Sequence, residues 1–152
     1  MLDLRPARLD DPDALLLSEE VQQYYVEVYG GRDDDPIEPA EFLPPHGGFL
    51  LGYDDDVPVA MGGWSFLPGS SEEVKIRRMF VRPQARRHGC AATLLDRLEQ
   101  EARDAGALRV ALTTGEPQVA AVRFYRARGY DDIAPFGFYA DESRSIHLGK
   151  PL

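Results

Sequence analysis

One cysteine, Cys90, and three histidines are all that 152 residues contain of those two types. A lone thiol excludes an internal disulfide and fits a reducing compartment. His46, His88 and His147 are scattered without metal-ligand spacing, so no metal is expected. Long apolar runs are missing too: charge, Gly or Pro interrupts each within about ten residues, where a membrane span needs about 20. Met1-Leu2-Asp3-Leu4-Arg5 lacks the basic-then-apolar order of a secretory signal, which makes the cytoplasm the expected location. Positive charge is in deficit. With 17 basic against 26 acidic residues the net charge is −9, and such a chain repels a phosphate backbone, so nucleic acid is not an expected partner. What remains is ample for a core: 43% hydrophobic residues, with seven Tyr and seven Phe, imply one globular domain over 1–152.

The scarce positive charge is unevenly placed. Residues 75–87 hold Lys75, Arg77, Arg78, Arg82, Arg86 and Arg87 with no acidic residue among them. A basic island in an acidic chain points to one anionic ligand there, while the acidic first 60 positions suit a cation; a merely solvated surface is the plainer reading. Periodicity and turn residues predict the order β-α-β-β-β-α-β-α-β-β, a mixed α/β sheet. A strand is expected over 2–9 and a helix from Asp10-Asp11-Pro12 to Val28, closed by Gly30-Gly31. The acidic, proline-rich stretch 31–47 reads as a functional loop with a short helical turn near 40–43. Strands follow at 48–53 and 57–66 around an Asp54-Asp55-Asp56 turn, then at 74–81, with Gly62-Gly63 marking a bulge. A helix over 87–105, a strand over 108–113, a helix from Pro117 to Arg128 and strands near 130–134 and 143–148 complete the chain.

The informative stretch is Arg78-Met79-Phe80-Val81-Arg82-Pro83 followed by Arg86-Arg87-His88-Gly89-Cys90-Ala91. A strand ends at proline, a basic loop follows, and a helix starts over a small residue. Such a loop aims backbone N–H groups and a helix dipole at one point, an anion site. Neither a dinucleotide fingerprint nor a phosphate-loop lysine is present, so a pyrophosphate held by another geometry is the expected ligand.

Here the sequence resembles the Gcn5-related N-acetyltransferase (GNAT) family, in particular its small bacterial members. The family signature Q/R-x-x-G-x-G/A is matched by Arg86-x-x-Gly89-x-Ala91. Gln118-x-x-Ala121-x-x-Phe124-Tyr125-x-x-x-Gly129-Tyr130 is similar to a second family segment at the expected separation. The resemblance implies a sheet splayed between the strands at 74–81 and 108–113, with acetyl-CoA in the splay as co-substrate. It implies that Met79 and Val81 offer backbone bonds to the pantetheine arm. Arg86, Arg87, His88, Gly89, Cys90 and Ala91 would hold the pyrophosphate, and Gln118 stands where the family has an Asn that contacts the CoA arm or orders the loop. Cys90 itself fills a slot that is usually apolar and reads as a small buried hydrophobe. Tyr125 occupies the position of the general acid to the departing thiolate; outside this motif it would read as a core aromatic.

The implied reaction is acetyl transfer to a primary amine of a small molecule or peptide by direct attack, with a homodimer as the implied assembly. Many relatives carry a Glu four residues before the Met of the fourth strand, but that position is Lys75 here. Strand alternation puts Glu73 on the same face, about 7 Å from Lys75, making it the candidate base through a water. An exposed Glu73–Lys75 pair is the plainer reading. A non-catalytic acyl-CoA-binding module is the alternative from another class.

Overall fold

The computed structural model describes residues 2–152. Seven strands form one sheet: β1 (Asp3–Pro6), β2 (Gly47–Asp54), β3 (Val57–Phe66), β4 (Glu73–Val81), β5 (Arg109–Gly115), β6 (Asp131–Asp132) and β7 (Ser145–Pro151). Their spatial order is β1-β2-β3-β4-β5-β7-β6, antiparallel throughout except for β4 against β5. Three helices cover it: α1 (Pro12–Tyr29), α2 (Cys90–Asp104) and α3 (Val119–Ala127). Among the described residues no helix is long and apolar enough to cross a membrane.

Successive residues of a strand face opposite sides, and β2 uses both. Phe49 and Leu51 join Ala14, Leu17 and Val21 of α1, whereas Leu50 joins Leu94, Leu95 and Leu98 of α2. Helices on each face explain why β2 reads as almost continuously apolar. Tyr125 and Tyr130 extend the α2-side core, their rings 5.6 Å apart. Below them Glu99 is 3% exposed, accepting a bond from the Tyr130 hydroxyl (2.7 Å) and pairing with Lys150 (3.0 Å).

The expected element order holds, and the boundaries shift for local reasons. α2 starts at Cys90 rather than residue 87 because Arg87 and Gly89 have positive φ (68° and 76°), which breaks the helix on its N-terminal side. The strand expected near 130–134 shrinks to two residues, since Tyr130 turns into the core. The aspartate turn is a two-residue connection with Asp55 and Asp56 at positive φ, as a tight hairpin requires.

Two irregularities of β4 create the site. Between Gly63↔Arg77 and Met61↔Phe80, Arg78 and Met79 oppose Gly62 alone, a β-bulge in which Arg78 has φ 58°. In addition, β4 pairs with β5 only from Glu73–Lys75 to Arg109–Ala111. Beyond Lys75 the two strands part, and β5 continues against β7.

Candidate active site

The gap between β4 and β5 opens into two adjoining cavities of about 240 and about 120 Å³. Both are bordered by Tyr25, Asp33, Thr113, Gln118 and Tyr139; Met79 and Tyr125 line the smaller one. At the end of β4 the chain makes a short 3₁₀ turn (Pro83–Ala85) and enters the loop that precedes α2. The first backbone bond of α2 runs from Thr93 N–H to Gly89 C=O. The amides of Cys90, Ala91 and Ala92 therefore have no acceptor within the helix and carry its positive dipole end. A Cβ on Gly89 would meet nothing within 4 Å, so the loop leaves room for an oxyanion against these amides. Arg86, Arg87, His88 and Gly89 are exposed around this point. Arg86 also folds back, its Nε donating to the Val81 carbonyl at 2.9 Å, which braces the loop against the strand end. Cys90 is half-buried and packs against the α2-side core, as does Ala91.

Tyr125 is buried to 8% exposure, its ring edge-on to Phe124 and Tyr130. Its hydroxyl has no hydrogen-bond partner among the described residues and borders the smaller cavity. Desolvation holds this phenol well above its ordinary pKa, so it stays protonated throughout neutral pH. Gln118 caps α3 and donates to the Tyr29 hydroxyl at 2.8 Å, tying α3 to the end of α1 at the cavity wall.

Glu73 stands elsewhere. It opens β4 in the stretch still paired with β5, and it lines neither cavity. Lys75, two residues on, lies between it and the gap and is bound by Asp35 at 3.3 Å. The expectation that Glu73 faces a substrate thus meets a sheet that has not yet opened at its position.

The carboxylates at the cavities come instead from the 31–47 loop. Gln22 clamps Asp33 from both sides, accepting from its N–H (2.8 Å) and donating to its C=O (3.3 Å). The Tyr139 hydroxyl donates to Asp33 Oδ1 at 2.5 Å, and Asp35 N–H reaches the same oxygen at 3.0 Å. The second oxygen, Oδ2, is left without a hydrogen bond among the described residues. Asp35 joins Lys75 and Arg77 (3.1 Å), while Arg77 also reaches the Pro36 carbonyl and Glu41. The acidic loop is thereby pinned over the basic strand. The acidic stretch 31–47, read as a functional loop, supplies this wall, although Asp33-Asp34-Asp35 within it reads first as a solvated turn; Tyr139 and Thr113, set among ordinary aromatic and strand residues, carried no signal. Trp64, which the sequence leaves open between core and pocket wall, is core, with Nε1 donating to Glu101.

Comparison with known proteins bears on this architecture. The acetyltransferase (GNAT) family model matches residues 15–130. A curated relative, the "IAA acetyltransferase" of Azospirillum brasilense, is 34% identical over 137 residues, covering 90% of this chain and 88% of the relative. Among solved structures, an acyl-CoA N-acyltransferase from Klebsiella pneumoniae superposes with a TM-score of 0.83 at 22% identity, covering 100% of this chain and 98% of the other. The PaiA N-acetyltransferase of Thermoplasma acidophilum, solved with coenzyme A, gives a TM-score of 0.73 at 12% identity, covering 100% and 99%.

Proposed function

The chain belongs to the GNAT acetyltransferase family, whose members move an acetyl group from acetyl-CoA to an amine, and on that premise we propose which of its residues do so. The observation that carries the assignment is the parting of β4 and β5, with the α2 amides at one end and the acidic loop at the other. Bound acetyl-CoA supplies an activated thioester. The Cys90, Ala91 and Ala92 amides, with Arg86, Arg87 and His88 around them, receive its pyrophosphate. The strand edge at Met79 and Val81 receives the pantetheine arm; because the Val81 carbonyl already accepts from Arg86, Met79 in the bulge is the freer of the two.

On the acceptor side Asp33 Oδ2 binds the ammonium form of the amine. An alkyl ammonium has a pKa of roughly 10, so losing its proton near pH 7 costs about 4 kcal/mol. The reaction draws on the small neutral fraction of the amine, its proton passing to bulk solvent and buffer, and Asp33 is the positioning group. The neutral amine then attacks the thioester carbon, the C–N bond forms, the C–S bond breaks, and the proton that the nitrogen sheds passes through solvent to the sulfur, so that an amide and the coenzyme A thiol leave. Tyr125 meets the departing sulfur. A thiol near 8.5 is already a stronger acid than an ordinary phenol, and burial raises this phenol further, so Tyr125 stabilises the sulfur as a hydrogen-bond donor. Small-molecule amines suit a cavity of about 240 Å³.

A CoA-release screen over amine classes tests the reading. Release above the hydrolysis background with at least one class is expected. Tight acetyl-CoA binding with no release from any amine would overturn it in favour of a non-catalytic acyl-CoA module.

A further inference from the structure

Three cations of β4 line the smaller cavity, and two are neutralised. Lys75 and Arg77 share Asp35, and Arg77 adds Glu41. Arg78 is different. It lines the smaller cavity, its Nη1 is fully enclosed without a hydrogen-bond partner, and none of its nitrogens forms an ion pair among the described residues. Removing a guanidinium nitrogen from water without an acceptor is unfavourable, and such a group marks a place where something else completes it.

The backbone adds a second observation. Arg78 has φ 58°, a left-handed conformation that glycine or asparagine adopts at lower cost. A β-bulge re-aims the side chain it carries, and here it turns a long cation out of the strand's alternation and into the splay. Strain kept at a cavity wall, on a side chain with no protein partner, points to a ligand contact. Arg78 and Asp33 both line the smaller cavity, so the free cation and the free carboxylate oxygen border one space.

We infer that Arg78 binds an anionic oxyacid group on the acceptor, so that the amine acetylated is an aminocarboxylate or a close analogue, held by its anion at Arg78 and its ammonium at Asp33. This rests on the transferase reading above. A single guanidinium matches the single charge of a carboxylate and can hold it through two parallel N–H donors. The pyrophosphate of the donor is served by a separate element, the loop at 86–91.

The test compares matched acceptors: amino acids, their decarboxylated amines and their aminophosphonate analogues, with the parent protein and with Arg78→Gln and Arg78→Lys, each checked for its melting temperature. The parent should favour amino acids over decarboxylated partners by about tenfold or more in kcat/KM. Arg78→Gln should bring that ratio towards one, Arg78→Lys should restore part of it, and the KM for acetyl-CoA should stay constant. A preference for phosphonates would assign the site to a doubly charged oxyacid and overturn the carboxylate assignment. Equal rates with and without the carboxylate in the parent, or a preference that survives Arg78→Gln, would overturn the inference; so would a raised KM for acetyl-CoA with the ratio intact. If no amine is turned over, the transferase reading fails by itself. Calorimetric titration with N-acetylated amino acids then decides the anion site: binding lost in Arg78→Gln upholds it, and no binding by the parent overturns it.

Discussion

Replacing Gly89 by aspartate sets a carboxylate at the N-terminus of α2 without disturbing any neighbour. Gly89 has φ 76° and ψ 8°, and a Cβ there meets nothing within 4 Å. In the free protein the cost is that of a left-handed backbone for an L-residue, about 1–2 kcal/mol. Aspartate recovers part of it, because a negative charge at a helix N-terminus contributes about 0.3–1 kcal/mol. A net loss of about 1 kcal/mol corresponds to a fall in Tm of roughly 2–4 °C for a domain of this size. Binding should suffer far more. A carboxylate about 5 Å from a phosphate charge, at an effective dielectric of about 20, is repelled by about 3 kcal/mol. That is on the order of a hundredfold in Kd. Gly89→Ala shares the backbone cost and lacks the charge, so it isolates the electrostatic part. Calorimetric titration with acetyl-CoA should find Gly89→Asp weaker than Gly89→Ala by this factor, with the difference shrinking as salt screens it. Equal affinity in the two variants at low salt would place the pyrophosphate somewhere other than this loop.

Tyr125→Phe removes a hydroxyl that has no protein partner, so the melting temperature and acetyl-CoA affinity should be unchanged while turnover drops roughly tenfold or more in a CoA-release assay. Glu73→Gln should leave the pH–rate profile as it is, since Glu73 lines neither cavity, whereas Asp33→Asn should raise the acceptor KM; kcat/KM of the parent should climb with pH towards the amine's own pKa. Glu99→Ala leaves the buried Tyr130 hydroxyl without its acceptor, while Lys150 keeps the Arg128 carbonyl, and should cost about 2 kcal/mol in denaturant unfolding. Burial pushes the Tyr25, Tyr53 and Tyr139 phenols up to about 12. Because these folded values lie above the unfolded one near 10, the stability they carry is complete below about pH 10 and is lost as the pH rises towards about 12, which alkaline titration of unfolding should register.

Most of the frame was legible in the sequence because it rests on local chemistry. Gly30 closes α1, the aspartate turn sets the β2–β3 hairpin, and Leu94, Leu95 and Leu98 fix the buried face of α2. The start of α2 with its unpaired amides was legible for the same reason, since Gly89 and Cys90 are adjacent in the chain. The acidic wall of the cavities was not. Asp33 meets Tyr139 across more than a hundred residues, and Lys75 meets Asp35 across forty. Strand alternation alone put Glu73 beside Lys75 but could not say where the sheet opens. That depends on the short pairing of β4 with β5, which no residue of Glu73-Val74-Lys75 announces.

The bulge at Arg78 also sets the phase of everything downstream of it. Before it, the odd-numbered Lys75 and Arg77 face the acidic loop and the even-numbered Val74 and Ile76 face the α2-side core. After it the parity is reversed, with Met79 and Val81 against the α2-side core and Phe80 on the α1 side. Flattening the bulge with the strand's length unchanged would restore regular alternation and exchange the environments of Met79, Phe80 and Val81. The edge proposed to meet the pantetheine arm would then look the wrong way, with every side chain still of the right type. Loss of the bulge is therefore tolerable only together with one residue of the strand, and a chain that flattened it at full length could keep its composition, its signature and its helices while losing the alignment of donor and acceptor.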